Sequence, residues 1–154
     1  MDREATTGDP RAHRFPRSML DEDSLDFSFS GLKTAVLYAV QGQDRSKPAP
    51  PPTGQARADL AASFQQAVVD VLVKKVQRAL RQTGLKRLAV GGGVSANRAL
   101  RSALTRLAEQ EGVELFIPPM ELCTDNAAMA ALAVEKWRRQ EWAPDDLDAE
   151  PVLR

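Results

Sequence analysis

The chain reads as a helix-rich α/β fold with a small sheet. Two observations predict this. The hydrophobic pattern from residue 58 onward runs helix, strand, helix, strand, helix, which indicates stacked layers rather than a bundle. The composition, 43% hydrophobic and 27% charged over 154 residues, is that of a globular domain with one core and is short for most two-lobed enzymes.

Residues 1–24 are polar and rich in turn formers, so they read as an irregular arm with Phe15 and Leu20 as apolar anchors. The segment LDFSFS alternates Leu25, Phe27 and Phe29 with polar residues, as a short extended stretch does. From Ser30, a candidate N-cap, Leu32, Ala35, Val36, Ala39 and Val40 take up helical spacing. Residues 42–55 carry Pro48 and Pro50 to Pro52 and read as a surface loop within one domain spanning 25–142.

Ala58 to Thr83 is the clearest helix: Leu60, Phe64, Ala67, Val68, Val71, Leu72, Val76 and Leu80 form one apolar stripe, and Gly84 stops it. Residues 87–90 read as a strand with Leu88 and Val90 inward, followed by a helix from Ser95 to Glu111 that buries Leu100, Leu104, Leu107 and Ala108. Residues 113–117 form a second strand, closed by Pro118 and Pro119, and Thr124 to Gln140 a last helix. The tail 143–154 is acidic and reads as loosely packed.

Charge and composition exclude several classes. Twenty-one basic residues balance 21 acidic ones, so any nucleic-acid contact must come from a local patch. The longest apolar run, Ala127 to Val134, is eight residues, too short to span a membrane. The amino terminus lacks the apolar core of a secretory signal, and the single cysteine, Cys123, fits a reducing cytoplasm. The one histidine, His13, has no metal-ligand spacing and reads as a surface residue.

Two places suggest chemistry. The strand LAV runs through Gly91, Gly92 and Gly93 into VSAN and a helix start, where phosphate or ribose often sits on glycine backbone and exposed N–H groups. The turn matches neither a dinucleotide fingerprint nor a P-loop, and Asn97 there either contacts a ligand or caps the helix. Asp125 stands where an extended segment meets the last helix, either as a cap or as a ligand for a metal. Cys123 reads as a small buried filler, and Lys74, Lys75, Arg78 and Arg81 as a solvated basic face, with phosphate binding as the alternative. Lys33, just inside a helix start, is unusual because an amine there repels the positive helix end unless an anion offsets it, which points to an anionic ligand or an acidic partner.

Three stretches, FPRSMLDEDSLDFSFSGLKTAV, LAVGGGVSANRALR and IPPMELCTDNAAMAALA, together resemble the carboxy-terminal lobe of the tRNA threonylcarbamoyladenosine transferase family, TsaD. The likeness covers about residues 10–140, with the three motifs in the family's order. It implies the second lobe of an actin/hexokinase/heat-shock-ATPase-like fold, in which two lobes close over a nucleotide. It also implies transfer of a threonylcarbamoyl group from threonylcarbamoyl-AMP to the exocyclic amine of the tRNA adenosine beside the anticodon. By the same resemblance Asn97 matches a substrate-binding asparagine, Gly91, Gly92 and Gly93 fall on the turn beside the adenosine, and Asp125 matches a ligand of one divalent metal, iron or zinc.

The departure from the family is the absence of its amino-terminal lobe, which carries an H-x-x-x-H pair of metal ligands. The metal would therefore be incompletely ligated here, and the chain is expected to be inactive alone. Its expected partners are that lobe or a full-length relative, the other subunits of the modification complex, and tRNA. The alternative is a non-catalytic lobe that acts as an interaction module for such a relative or its paralogue.

Overall fold

The computed structural model describes residues 2–20, 23–42, 49–124 and 130–142. Its elements are α1 (Asp2–Ala5), α2 (Ser30–Gln41), α3 (Gly54–Thr83), β1 (Arg87–Ala89), α4 (Arg98–Glu111), β2 (Glu114–Phe116) and α5 (Ala130–Arg138). The α/β reading holds: helices dominate, and the sheet is a parallel pair with Arg87 opposite Glu114, Leu88 opposite Leu115 and Ala89 opposite Phe116.

Helix α3 is the axis. Thirty residues make it about 45 Å long, enough to serve two separate clusters. Its amino-terminal half packs Leu60 and Ala67 against Phe15 of the arm and Leu32 of α2. Its carboxy-terminal half packs Val69 and Leu80 against Leu100, Leu104 and Leu107 of α4, with Leu88, Val90, Leu115 and Ile117 closing the layer from the sheet. The single predicted stripe is thus split between two partners, and it widens to include Ala62, Ser63, Val69 and Lys75.

α3 starts a turn earlier than its apolar spacing indicates, because Gly54 to Arg57 is held by polar contacts. Gln55 donates to Asp59 Oδ1 (2.7 Å) and to the Thr7 carbonyl (3.0 Å), and Arg57 pairs with Glu4 (3.0 Å). Ser30 is the first residue of α2 rather than its cap; Phe29 precedes it without a side-chain cap. Helices α3 and α4 end at Gly84 and Gly112 as expected.

The amino-terminal arm is more ordered than its composition predicts. It opens with one helical turn and lies along α3, with Ala5 and Phe15 buried. Gly8 sits so close to α3 that a Cβ there would lie 2.0 Å from the Ala58 carbonyl oxygen. Asp9 N–H donates to Asp59 Oδ1 (2.8 Å), His13 N–H to Ser63 Oγ (3.1 Å), and Arg17 pairs with Asp70 (2.9 Å). His13 is half-buried rather than on the open surface, stacked on Phe15 at 5.7 Å.

The predicted solvated face at Lys74, Lys75, Arg78 and Arg81 is also corrected. Lys75 is 1% exposed, and its Nζ donates to the Ser24 carbonyl. Arg78 donates to the Ser24 and Leu20 carbonyls at 3.2 and 2.7 Å. The long stems lie on apolar surface while the cationic tips meet carbonyls of the chain entering α2. Arg81 reaches across to Glu111 of α4 (2.6 Å), and Lys74 remains exposed.

The residues of α5 whose side chains are described are all exposed. Asp125 and the rest of 125–129, near the start of the expected last helix, lie outside the described residues, as do the acidic tail 143–154 and residues 43–48 of the proline loop. No described helix is long and apolar enough to cross a membrane.

Candidate functional site

The glycine turn leaves β1 at Ala89, and Val90 N–H still donates to the Phe116 carbonyl (2.9 Å). The chain then bends through Gly92, whose φ of +85° is a conformation that side chains disfavour. Gly91 and Gly93 have no such φ, and a Cβ on either would meet nothing within 4 Å. Neither backbone geometry nor packing within the described residues demands glycine at these two places. Their bareness leaves room for something to approach the backbone.

After the glycines, Gly93 to Ala96 form a short 3-10 turn instead of the first turn of α4. Ser95 is buried, and its hydroxyl donates to the Gly92 carbonyl (2.6 Å), pinning the bend. The helix therefore starts at Arg98, with Asn97 as its N-cap in place of Ser95. Asn97 Oδ1 accepts from Leu100 N–H (2.9 Å), and Nδ2 donates to Gln65 Oε1 (2.7 Å) and, more weakly, to Asp2 Oδ1 (3.4 Å). The capping reading of Asn97 is thus real, and it also fixes the amide: one edge holds the helix, the other is oriented by α3 and the arm.

Two concavities meet at this turn. One, of about 580 Å³, lies at the carboxyl ends of the parallel strands between Ala89, Gly91, Phe116 and Pro118. The other, of about 570 Å³, runs between α2, α3 and the turn, with Leu32, Phe64, Val68 and Val94 as apolar walls and Lys33, Gln65, Ser95 and Asn97 as polar lining. Gly91 borders both. A crevice outside the carboxyl ends of parallel strands is the common ligand position of α/β sheets, and both volumes suit a small molecule.

Arg101 joins the two loops that leave the sheet. It donates to the Ser95 carbonyl (2.9 Å) on one side and to the Pro118 carbonyl (2.6 Å) on the other, and it approaches Cys123 Sγ (3.6 Å). Cys123 is buried, as the filler reading expects, with its thiol toward the Pro118 and Pro119 carbonyls. The guanidinium so ties the glycine turn to the segment that leads into Asp125. Sequence spacing does not reveal this role, since Arg101 resembles any solvent-facing helical arginine. Gln65 and Asp2 carry no sequence signal either; both accept from Asn97 Nδ2, and Gln65 also lines the cavity. Among the described residues no group of three or more His, Cys, Asp or Glu side chains could hold a metal ion.

The family model for TsaD, tRNA N6-adenosine threonylcarbamoyltransferase, matches residues 1–132. The chain belongs to the TsaD family. Similar curated proteins named tRNA N6-adenosine threonylcarbamoyltransferase include one from Anaeromyxobacter dehalogenans strain 2CP-1, 51% identical across 100% of this chain and 45% of its own length. Others come from Cereibacter sphaeroides, 52% identical over 96% of this chain and 42% of the relative, and Rhodopirellula baltica, 46% identical over 97% and 45%. The chain therefore spans less than half the length of these TsaD relatives. The turn, the oriented Asn97 and the cavity beside them lie within the matched region.

Proposed function

We propose that this chain is the carboxy-terminal lobe of a cytoplasmic tRNA N6-adenosine threonylcarbamoyltransferase, in an actin/hexokinase-like arrangement that needs the family's amino-terminal lobe for activity. The reading is carried by the family match across residues 1–132, which contains the glycine turn and its oriented Asn97. In the reaction the exocyclic amine of the tRNA adenosine attacks the carbamoyl carbon of threonylcarbamoyl-AMP. The bond from that carbon to the phosphate oxygen breaks, AMP leaves and the amine loses a proton.

The work assigned to this lobe is positional. Gly91 and Gly93 let the adenosine part approach the backbone, Gly92 makes the bend, and Asn97 holds the substrate with an amide already aimed by Gln65. Asp125 is proposed as this chain's contribution to a divalent iron or zinc site. The described residues do not make up a complete donor set, so no chemical step is assigned to that metal here. The other ligands, the tRNA contacts and the remaining subunits belong to the completed assembly.

The test is reconstitution. The chain is mixed with the amino-terminal part of a relative, threonylcarbamoyl-AMP and unmodified tRNA, and the modified nucleoside is measured by mass spectrometry. Modification that needs both parts, and is lost with Asp125→Ala, is expected. A stable complex that leaves the tRNA unmodified overturns the transferase reading and leaves the interaction module in its place.

A further inference from the structure

We propose that Lys33 is a ligand-binding residue of the cavity beside the glycine turn, where its ammonium pairs with the phosphate of a bound nucleoside monophosphate. Lys33 is the one charged residue lining that cavity of about 570 Å³ among the described residues. The rest of the lining is apolar or neutral: Phe29 and Phe64 offer flat apolar surface, and Gln65 and Asn97 offer amides. These groups come from α2, α3 and the turn after β1, which are far apart in sequence. A flat heterocycle carrying one anionic group complements that combination of apolar wall, amide and single cation.

Arg17, Arg57, Arg81, Arg98 and Arg139 each have a carboxylate partner, whereas Lys33 forms no ion pair among the described residues. The first turn of α2 contains no acidic residue to offset it. Lys33 is solvent-exposed, so its ammonium can reach an anion that enters the apolar-walled cavity. The inference rests on the reading that an adenylate sits at the glycine turn, and it adds the group that holds the phosphate.

Calorimetric titration of AMP and of adenosine into the reconstituted complex separates the two ideas. With the native lysine, AMP is expected to bind more tightly than adenosine. Lys33→Ala should weaken AMP by about tenfold or more, the equivalent of one charge-assisted contact, and leave adenosine unchanged. Lys33→Arg should keep most of the AMP preference. Equal AMP affinity in the native and Ala forms overturns the Lys33 assignment while the adenylate reading survives. So does an equal loss for AMP and adenosine, which marks a structural effect; unchanged melting of Lys33→Ala guards against misfolding. Binding of neither AMP nor adenosine to the native complex overturns the adenylate reading and the inference with it.

Discussion

The two sides of the sheet are finished differently. Toward α3 and α4, Leu88, Val90, Leu115 and Ile117 close on Val69, Leu80, Leu100, Leu104 and Leu107. On the other side Phe116 is 49% exposed, and past the sheet Val134, Trp137 and Trp142 are also open to solvent. Parallel sheets are ordinarily covered on both faces, and two strands alone make a marginal sheet. The chain covers 45% of its Anaeromyxobacter relative. One face is closed by this chain's own helices, and the other is open to solvent.

The largest effect should come from the closed side. Leu104→Ala removes a side chain buried at 2% exposure between α3 and α4 and should destabilise the chain by about 2–5 kcal/mol in urea unfolding. Phe116→Asp should alter the stability of the isolated chain by only about 0.5 kcal/mol, since it replaces a half-exposed ring. The same substitution should abolish assembly with the amino-terminal lobe, read by size-exclusion chromatography. A Phe116→Asp chain that unfolds as readily as Leu104→Ala would erase the contrast between the sides.

Arg101 lies where the closed layer passes into the loops of the site. Arg101→Ala strands the Ser95 and Pro118 carbonyls and should lower stability by about 1–3 kcal/mol. Hydrogen exchange should rise together in residues 92–97 and 118–123. A rise in one loop alone would show that the guanidinium does not couple them.

At Asn97, stability and binding should separate. Asn97→Ala loses the cap and should destabilise α4 by about 1 kcal/mol. Asn97→Asp keeps an oxygen for Leu100 N–H and suits the helix start, so the fold should hold. It loses the Nδ2 donor, leaves Gln65 Oε1 without it and brings a charge toward Asp2. Adenylate affinity in the reconstituted complex should then fall by about tenfold or more. Unchanged affinity in Asn97→Asp would reduce Asn97 to a cap.

What the sequence makes legible follows from the physics of each element. The stripes of α3 and α4, the two strands and the glycine stops are periodic, local signals, and the structure follows them closely. The arm has no period; it is ordered by Asp59, Ser63 and Asp70 on α3, more than 45 residues away. Lys75 and Arg78 read as solvated because their carbonyl partners, from Leu20 to Ser24, cannot be placed from composition. In VSAN both Ser95 and Asn97 are good caps, and only the intervening 3-10 turn decides between them. The order of motifs points to the glycine turn, but its wiring through Gln65 and Arg101 exists only in three dimensions.

The smallest expected effect concerns two half-buried carboxylates in the contacts between α3 and other segments. Hydrogen bonds from Arg81 and then Gln77 hold the Glu111 carboxyl below its usual value of 4.5 on the closed side. The Asp9 backbone N–H and then the Gln55 amide hold Asp59 below 3.8 beneath the arm. A carboxylate whose pKa is lower in the folded chain stabilises the fold above its unfolded pKa and loses that contribution as pH falls through the folded value. Stability should therefore drop on acidification through and below the ordinary carboxylate range. Glu111→Gln and Asp59→Asn should each flatten the drop, with lower stability at neutral pH to begin with. Both groups are only partly buried, so added salt should shrink the slope at Glu111, where the partner is the charged Arg81. Asp59 depends first on a backbone N–H and should keep more of its slope in salt. Identical salt responses at the two sites would show that the arm and α4 are held to α3 by the same kind of force.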